Sequence, residues 1–255
     1  MRLPRNVAAG FTLVELMVTI SIIMLLAGLL TPSVIAIKEV WERNRCETQL
    51  ANIRMAIWDY ASDPRMGRTI PPSDLTLANR FQTGIECLTY YLLGPNATGH
   101  SVERHGVTST AGPFYTARPE EVRRTYASGI GPIGPNWMGL PDVTSSNTGR
   151  VFVDTYSSTF KPHQAERTRP ILYFARQPLA AAGANPYLLA DNENIIKNNK
   201  GGYDWAPDNY AALFDTTMQH DKQAGTYIRG FVLMSAGPDR RYFTDDDIVL
   251  FTERE

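Results

Sequence analysis

An almost unbroken apolar run occupies residues 11–37, where the only charge is Glu15, and the 22 positions of residues 16–37 carry none. At 1.5 Å per residue this uncharged stretch spans about 33 Å as a helix. That length is enough to cross a hydrocarbon core of about 30 Å, so it reads as a membrane segment. Beyond Lys38 the pattern changes. Apolar residues fall at Cys46, Leu50, Ile53, Ile57 and Tyr60, spaced 4, 3, 4 and 3, while Glu42, Arg43, Arg45, Glu47, Gln49, Asn52, Arg54 and Asp59 occupy the other faces. Such spacing predicts an amphipathic helix with one buried stripe. The expected helix runs over residues 12–61, with Pro32 able to bend it, and the sequence Ser62-Asp63-Pro64-Arg65-Met66-Gly67 ends it.

The remainder, residues 63–255, predicts a soluble α+β body: a small antiparallel sheet with long loops, against which the second half of the helix packs. Thr83 and Glu86 have capping-box spacing, and Ile85, Leu88 and Leu92 form a short helical stripe that stops at Gly94-Pro95. Residues 95–150 are rich in Gly, Pro, Ser and Thr and read as long loops with little regular structure. Strands are expected at 151–153, 171–174, 231–234 and 248–251, the last two as a C-terminal hairpin. Residues 177–226 read as a polar insertion with a short helix near 210–218.

Composition limits the functions open to the chain. With 25 Lys+Arg against 26 Asp+Glu there is no basic surplus to neutralise a run of phosphates, so nucleic-acid binding is not expected. Two cysteines cannot build a structural zinc site. Cys46 and Cys87 read as small buried hydrophobes, with a disulfide as the alternative in an oxidising compartment. Gly129-Ile130-Gly131-Pro132-Ile133-Gly134 matches a G-x-G-x-x-G string, but Pro132 and Pro135 oppose the helix start that would bind pyrophosphate. His100, Glu103 and His105 do not have the H-E-x-x-H spacing of a zinc helix. No catalytic constellation stands out, and the chain reads as a non-enzyme.

The order of parts at the N-terminus decides between a secretory signal and a retained helix. Arg2 and Arg5 precede the apolar run, and the small residues Ala8-Ala9-Gly10 lie ahead of it, whereas a signal peptide has a shorter apolar region and its cleavage site after it. Cleavage here therefore leaves the helix on the mature chain. Gly10-Phe11-Thr12-Leu13-Val14-Glu15-Leu16 resembles the processing and methylation motif of the type IV prepilin family, which includes pilins and the pseudopilins of type II secretion. The resemblance implies cleavage after Gly10, methylation of the new amino group on Phe11, and pairing of Glu15 with the Phe11 ammonium of a neighbouring subunit. An unpaired charge in an apolar span costs about 2.5 kcal/mol or more, so Glu15 needs such a partner. The implied organisation is a leader at 1–10, a membrane and filament-core helix at 11–37, its amphipathic continuation at 38–62 and the body at 63–255.

Arg2 and Arg5 place the unprocessed N-terminus in the cytoplasm by the positive-inside rule, which puts the body on the periplasmic side of a bacterial inner membrane. The resemblance implies as partners further copies of the chain or other pilins and pseudopilins, the prepilin peptidase and an inner-membrane assembly platform. Three functions stay open at this point: a pseudopilin-like subunit of a secretion filament, a pilin or minor pilin of a surface or DNA-uptake pilus, and a tethered periplasmic binding protein or enzyme.

A second feature lies near the C-terminus. Asp239 follows one expected strand and Asp245-Asp246-Asp247 lead into the next, so Asp239, Asp245 and Asp247 could converge on Ca²⁺, which takes six to eight oxygens in flexible geometry. A solvated acidic turn is the alternative. The string Ser235-Ala236-Gly237-Pro238-Asp239, with the later Asp-Asp-Asp-Ile, is similar to the C-terminal calcium loop of the major (G-type) pseudopilins. At 240–243 this chain has Arg-Arg-Tyr-Phe, where glycines are common in that group.

Overall fold

The computed structural model describes residues 11–73, 83–94, 97–104, 107–118, 120–126, 129–131, 150–158, 169–177, 186–196, 206–218 and 230–252. Two compact units divide the chain after Asn44. Helix α1, Leu13–Ser62, is one 50-residue element and continues through Pro32. In the first unit Leu13–Thr31 is long and apolar enough to cross a membrane, and none of that stretch is buried within the protein.

The second unit begins with the C-terminal part of α1. The expected stripe is found: Cys46, Leu50, Ile53 and Ile57 are fully buried and Tyr60 nearly so. Gln49 joins this face, its Nε2 donating to the Val153 carbonyl at 2.9 Å. The helix ends where Asp63 takes up a cap role, its carboxylate accepting from the Arg65 N–H at 2.8 Å, ahead of Gly67 at φ +81°. Burial at about 25 cal/mol per Å² makes these side chains the main hold of the helix on the body.

Helix α2, Gly84–Leu93, starts at Thr83, whose side chain accepts from the Glu86 N–H, and stops at Gly94, as the spacing predicts. A central sheet has the order β6 (Leu172–Ala175), β7 (Phe231–Ser235), β8 (Ile248–Phe251), antiparallel throughout, with Tyr173 opposite Leu233 and Leu233 opposite Leu250. Every residue of β6 and β7 is buried, which explains why these segments are continuous apolar runs and not alternating ones. The expected C-terminal hairpin is thus present.

Residues 95–150 do not fit the expectation of loops. Among the described positions they contain a hairpin, β1 (His100–Arg104) with β2 (Val107–Ala111), together with β3 (Val122–Tyr126) and β4 (Gly129–Gly131). Strand β3 lies between β4 and β5 (Arg150–Phe152), and a bridge from Val153 to Pro170 links the end of β5 to the start of β6. The segment read as a polar insertion also contributes to the core. It holds the helices α4 (Glu193–Ile196) and α5 (Tyr210–Met218), with Tyr187, Ile195, Ile196, Phe214 and Met218 buried. Asn192 ties it to the central sheet through a 2.6 Å bond from Nδ2 to the Tyr173 carbonyl, and Asp191 accepts from the Ser73 hydroxyl. A short helix α3, Thr155–Ser158, follows β5. The α+β class and the long helix stand as expected.

Candidate assembly site and acidic loop

Gly10 lies outside the described residues; Phe11 follows as an exposed residue at the head of α1. Thr12 and Glu15 form a reciprocal capping box. The Glu15 carboxylate accepts from the Thr12 N–H at 2.9 Å and from the Thr12 hydroxyl at 2.8 Å, while the Glu15 N–H donates to Thr12 Oγ1 at 3.2 Å. The sequence reading treated Glu15 as a charge awaiting an intermolecular partner and missed this local one. The Thr-x-x-Glu spacing ahead of an apolar run was the available signal. The cap does two things at once: it satisfies an N–H at the helix start, and it fixes the carboxylate next to residue 11. Past it the exposed side chains are mostly apolar, among them Leu13 at 73% exposed and Met24 at 71%, and the hydroxyls of Thr19, Ser21 and Thr31 are turned back onto helix carbonyls. Such a contiguous bare apolar surface requires lipid or other protein to cover it.

The three aspartates proposed for calcium share the loop between β7 and β8, with Asp239 near enough to Asp247 to act on its carboxyl. Among the described residues no group of three or more His, Cys, Asp and Glu side chains is placed to hold a metal ion. Asp239 is exposed and its Oδ1 accepts from the Arg241 N–H at 2.7 Å. Asp245 is exposed and takes no part in the loop's hydrogen bonds. Asp247 Oδ2 accepts from the Phe243 and Thr244 N–H groups at 2.6 and 3.3 Å. Asp246, not in the proposed set, spans the loop instead. It accepts from the Asp239 N–H at 2.9 Å and from the Thr244 hydroxyl at 2.7 Å. Asp239, Asp246 and Asp247 are thus engaged by the loop's own donors, whereas the Asp245 carboxylate faces solvent.

Burial, reinforced by Asp239 and Asp246 and opposed by the two N–H donors, pushes the Asp247 carboxyl up to about 7. Tyr242 also faces this group, as a fully buried phenol beside it. With the folded pKa above the unfolded one, the stability Asp247 contributes is full below about pH 4 and is lost as pH rises through about 7. Asp247→Asn keeps an acceptor for both N–H groups and has nothing to ionise. It is expected to melt a few degrees higher than the unsubstituted chain at about pH 8 and to flatten the dependence on pH between about 5 and 8. Melting of the full chain in detergent, followed by tryptophan emission, checks this; an unchanged slope assigns the dependence to another group.

Cys46 and Cys87 are both buried and not joined in a disulfide, and burial, with a contribution from Asp154, pushes the Cys46 thiol up to about 12, where it is inert. His100 is directed by a 3.0 Å contact from Nε2 to the Tyr91 carbonyl and its pKa is lowered by burial, while His105 lies outside the described residues. Gly129–Gly131 of the glycine string form β4, paired with β3 in the register Tyr126 to Gly129. The rest of that string lies outside the described residues.

Comparison with known families agrees with the helix start. Residues 5–31 match the family model of the prokaryotic N-terminal methylation motif. Curated proteins and solved structures give no match. The matched segment contains Gly10, Phe11, the Thr12–Glu15 cap and the exposed apolar helix, and it marks this chain's N-terminus as that of a type IV prepilin-like protein.

Proposed function

We propose that the chain is a pseudopilin-like structural subunit. It is cleaved after Gly10 by a prepilin peptidase, held in the bacterial inner membrane by α1 with its body in the periplasm, and polymerised with copies of itself or related subunits on an inner-membrane platform for type II secretion. The observation that carries this reading is the pairing of a bare apolar helix with one carboxylate, Glu15, fixed at its first turn beside the prospective N-terminus. A membrane tether needs the apolar length and has no use for the charge; a filament core needs both, because the length gives contact area and the charge gives register. The body carries no proposed catalysis, and the chain is the substrate of the peptidase.

Intact-mass measurement of protein purified from its native membrane tests the processing step. The expected mass is that of a chain beginning at Phe11 with a methylated amino group. A chain beginning at Met1, or one cut beyond the apolar helix, overturns the proposal. Deletion of the gene then separates the two filament readings. Loss of secreted enzymes with surface pili intact supports the secretion assignment, whereas loss of pili or of DNA uptake with secretion intact assigns the subunit to a type IV pilus.

A further inference from the structure

We infer that the loop between β7 and β8 is a cation-independent clasp, in which the buried aromatic residues Tyr242 and Phe243 and the loop's own backbone donors do the work that a divalent ion does in loops of this acidic type. Tyr242 is fully buried and donates its hydroxyl to the Pro170 carbonyl at 2.6 Å. Phe243 is 6% exposed and meets Phe214 of α5 edge to face, with ring centroids 6.1 Å apart. Arg169 Nε donates to the Arg240 carbonyl at 2.8 Å. The loop is therefore fixed from outside at three points within four residues: Arg240 and Tyr242 to the segment entering β6, and Phe243 to α5.

Inside the loop four carboxylate oxygens are already in use. Asp239 Oδ1, Asp246 Oδ1, Asp246 Oδ2 and Asp247 Oδ2 each accept from a loop N–H or hydroxyl. Asp247 Oδ1 is buried without a hydrogen-bond partner and the exposed Asp245 carboxylate stays outside the loop's bonds, which together fall short of the six to eight oxygens that Ca²⁺ takes. The backbone agrees. Arg240 and Phe243 sit at φ +63° and +65°, a region that glycine enters freely and other residues enter at a cost. A sequence that keeps side chains at those positions gains something from them, and Phe243 gains a buried contact. Gly237 is the exception that the turn requires, since a Cβ there would lie 2.3 Å from the Asp246 carbonyl oxygen. The C-terminal hairpin stays attached at any calcium level, and a subunit built this way assembles in calcium-poor surroundings.

The full chain in detergent, melted by tryptophan emission, provides the test. Midpoints in millimolar CaCl₂ and in excess chelator are expected to agree within about one degree, because an ion that does not bind the folded state leaves it unshifted. Tyr242→Phe removes the bond to Pro170 while keeping the ring, and is expected to melt a few degrees lower under both conditions. A midpoint raised several degrees by calcium, with the rise lost in Asp247→Asn, overturns the inference. So does a Tyr242→Phe variant that melts like the unsubstituted chain. Neither result bears on cleavage after Gly10, so the proposed function stands or falls separately.

Discussion

Glu15→Ala is expected to leave cleavage after Gly10 largely intact and to lower the filament fraction by at least about tenfold, which corresponds to a loss of about 1.4 kcal/mol per subunit contact. Glu15 carries the only charge between residues 11 and 37, so no nearby side chain can take over its electrostatic role. In the isolated chain the carboxylate is held by the Thr12 N–H and hydroxyl at 2.9 and 2.8 Å. Those two bonds offset part of the cost of placing a charge in an apolar helix, about 2.5–3.5 kcal/mol at the bilayer centre. A cationic amino group on a neighbouring Phe11 offsets more of it. Glu15→Gln separates the two contributions: the amide oxygen still accepts from Thr12, so the cap is kept, worth about 1 kcal/mol, while the charge is lost. If charge pairing drives assembly, Gln is nearly as defective as Ala. If the cap alone matters, Gln assembles normally and Thr12→Ala is the defective variant. Immunoblots of sheared filaments beside whole cells give the fractions, and mass measurement confirms cleavage in each variant. Normal filament yield from Glu15→Ala favours a plain membrane tether.

The same residues show what was legible before the structure. The stripe from Cys46 to Tyr60 was readable because a helix repeats every 3.6 residues, and five apolar positions in that rhythm leave little choice of face. The hairpin β1–β2 was not. Its exposed positions, Ser101, Glu103, Thr108 and Thr110, alternate with positions as weakly apolar as His100 and Ser109, so the period of two is present without the hydrophobic contrast that announces it. Nonlocal bonds select the strand geometry there, such as the Phe114 N–H to the Leu92 carbonyl at 2.8 Å and Gly99 N–H to the Leu93 carbonyl at 3.0 Å. Likewise the burial of Tyr187, Ile195 and Phe214 goes with contacts far apart in sequence, such as Ser73 with Asp191 and Phe214 with Phe174. For the acidic loop, composition correctly marked a cluster of carboxylates. Whether such a cluster binds an ion depends on how many of its oxygens the backbone has already engaged, and residue types alone do not encode that count.

Gly94→Ala is expected to be the most damaging single methyl addition in the described body, lowering the melting midpoint by about 10 °C or preventing folding, while Gly67→Ala is expected to cost about 1 kcal/mol, or 2–4 °C. Both glycines have φ +81°, so a rule based on φ alone predicts equal effects. The surroundings decide otherwise. At Gly67 ψ is 5°, the ordinary left-handed region, and a Cβ meets nothing within 4 Å. At Gly94 ψ is 175°, a region open essentially only to glycine, and a Cβ would lie 2.2 Å from the Gly99 carbonyl oxygen and 2.5 Å from its carbon. Those are backbone atoms, which cannot swing aside as the end of a side chain does. Moving them displaces the start of β1 and strains the Gly99 N–H bond to Leu93, which together with the Phe114 N–H bond to Leu92 satisfies carbonyls in the last turn of α2. Because α2 buries Ile85, Leu88, Leu92 and Leu93 in the core that also holds Ile53 and Ile57 of α1, the loss extends to the seat of the long helix on the body. Melting curves of both variants in detergent, with protease susceptibility in membranes for any that aggregates, measure the contrast. Equal small shifts at the two positions would mean that the connection from α2 to β1 yields to the added methyl.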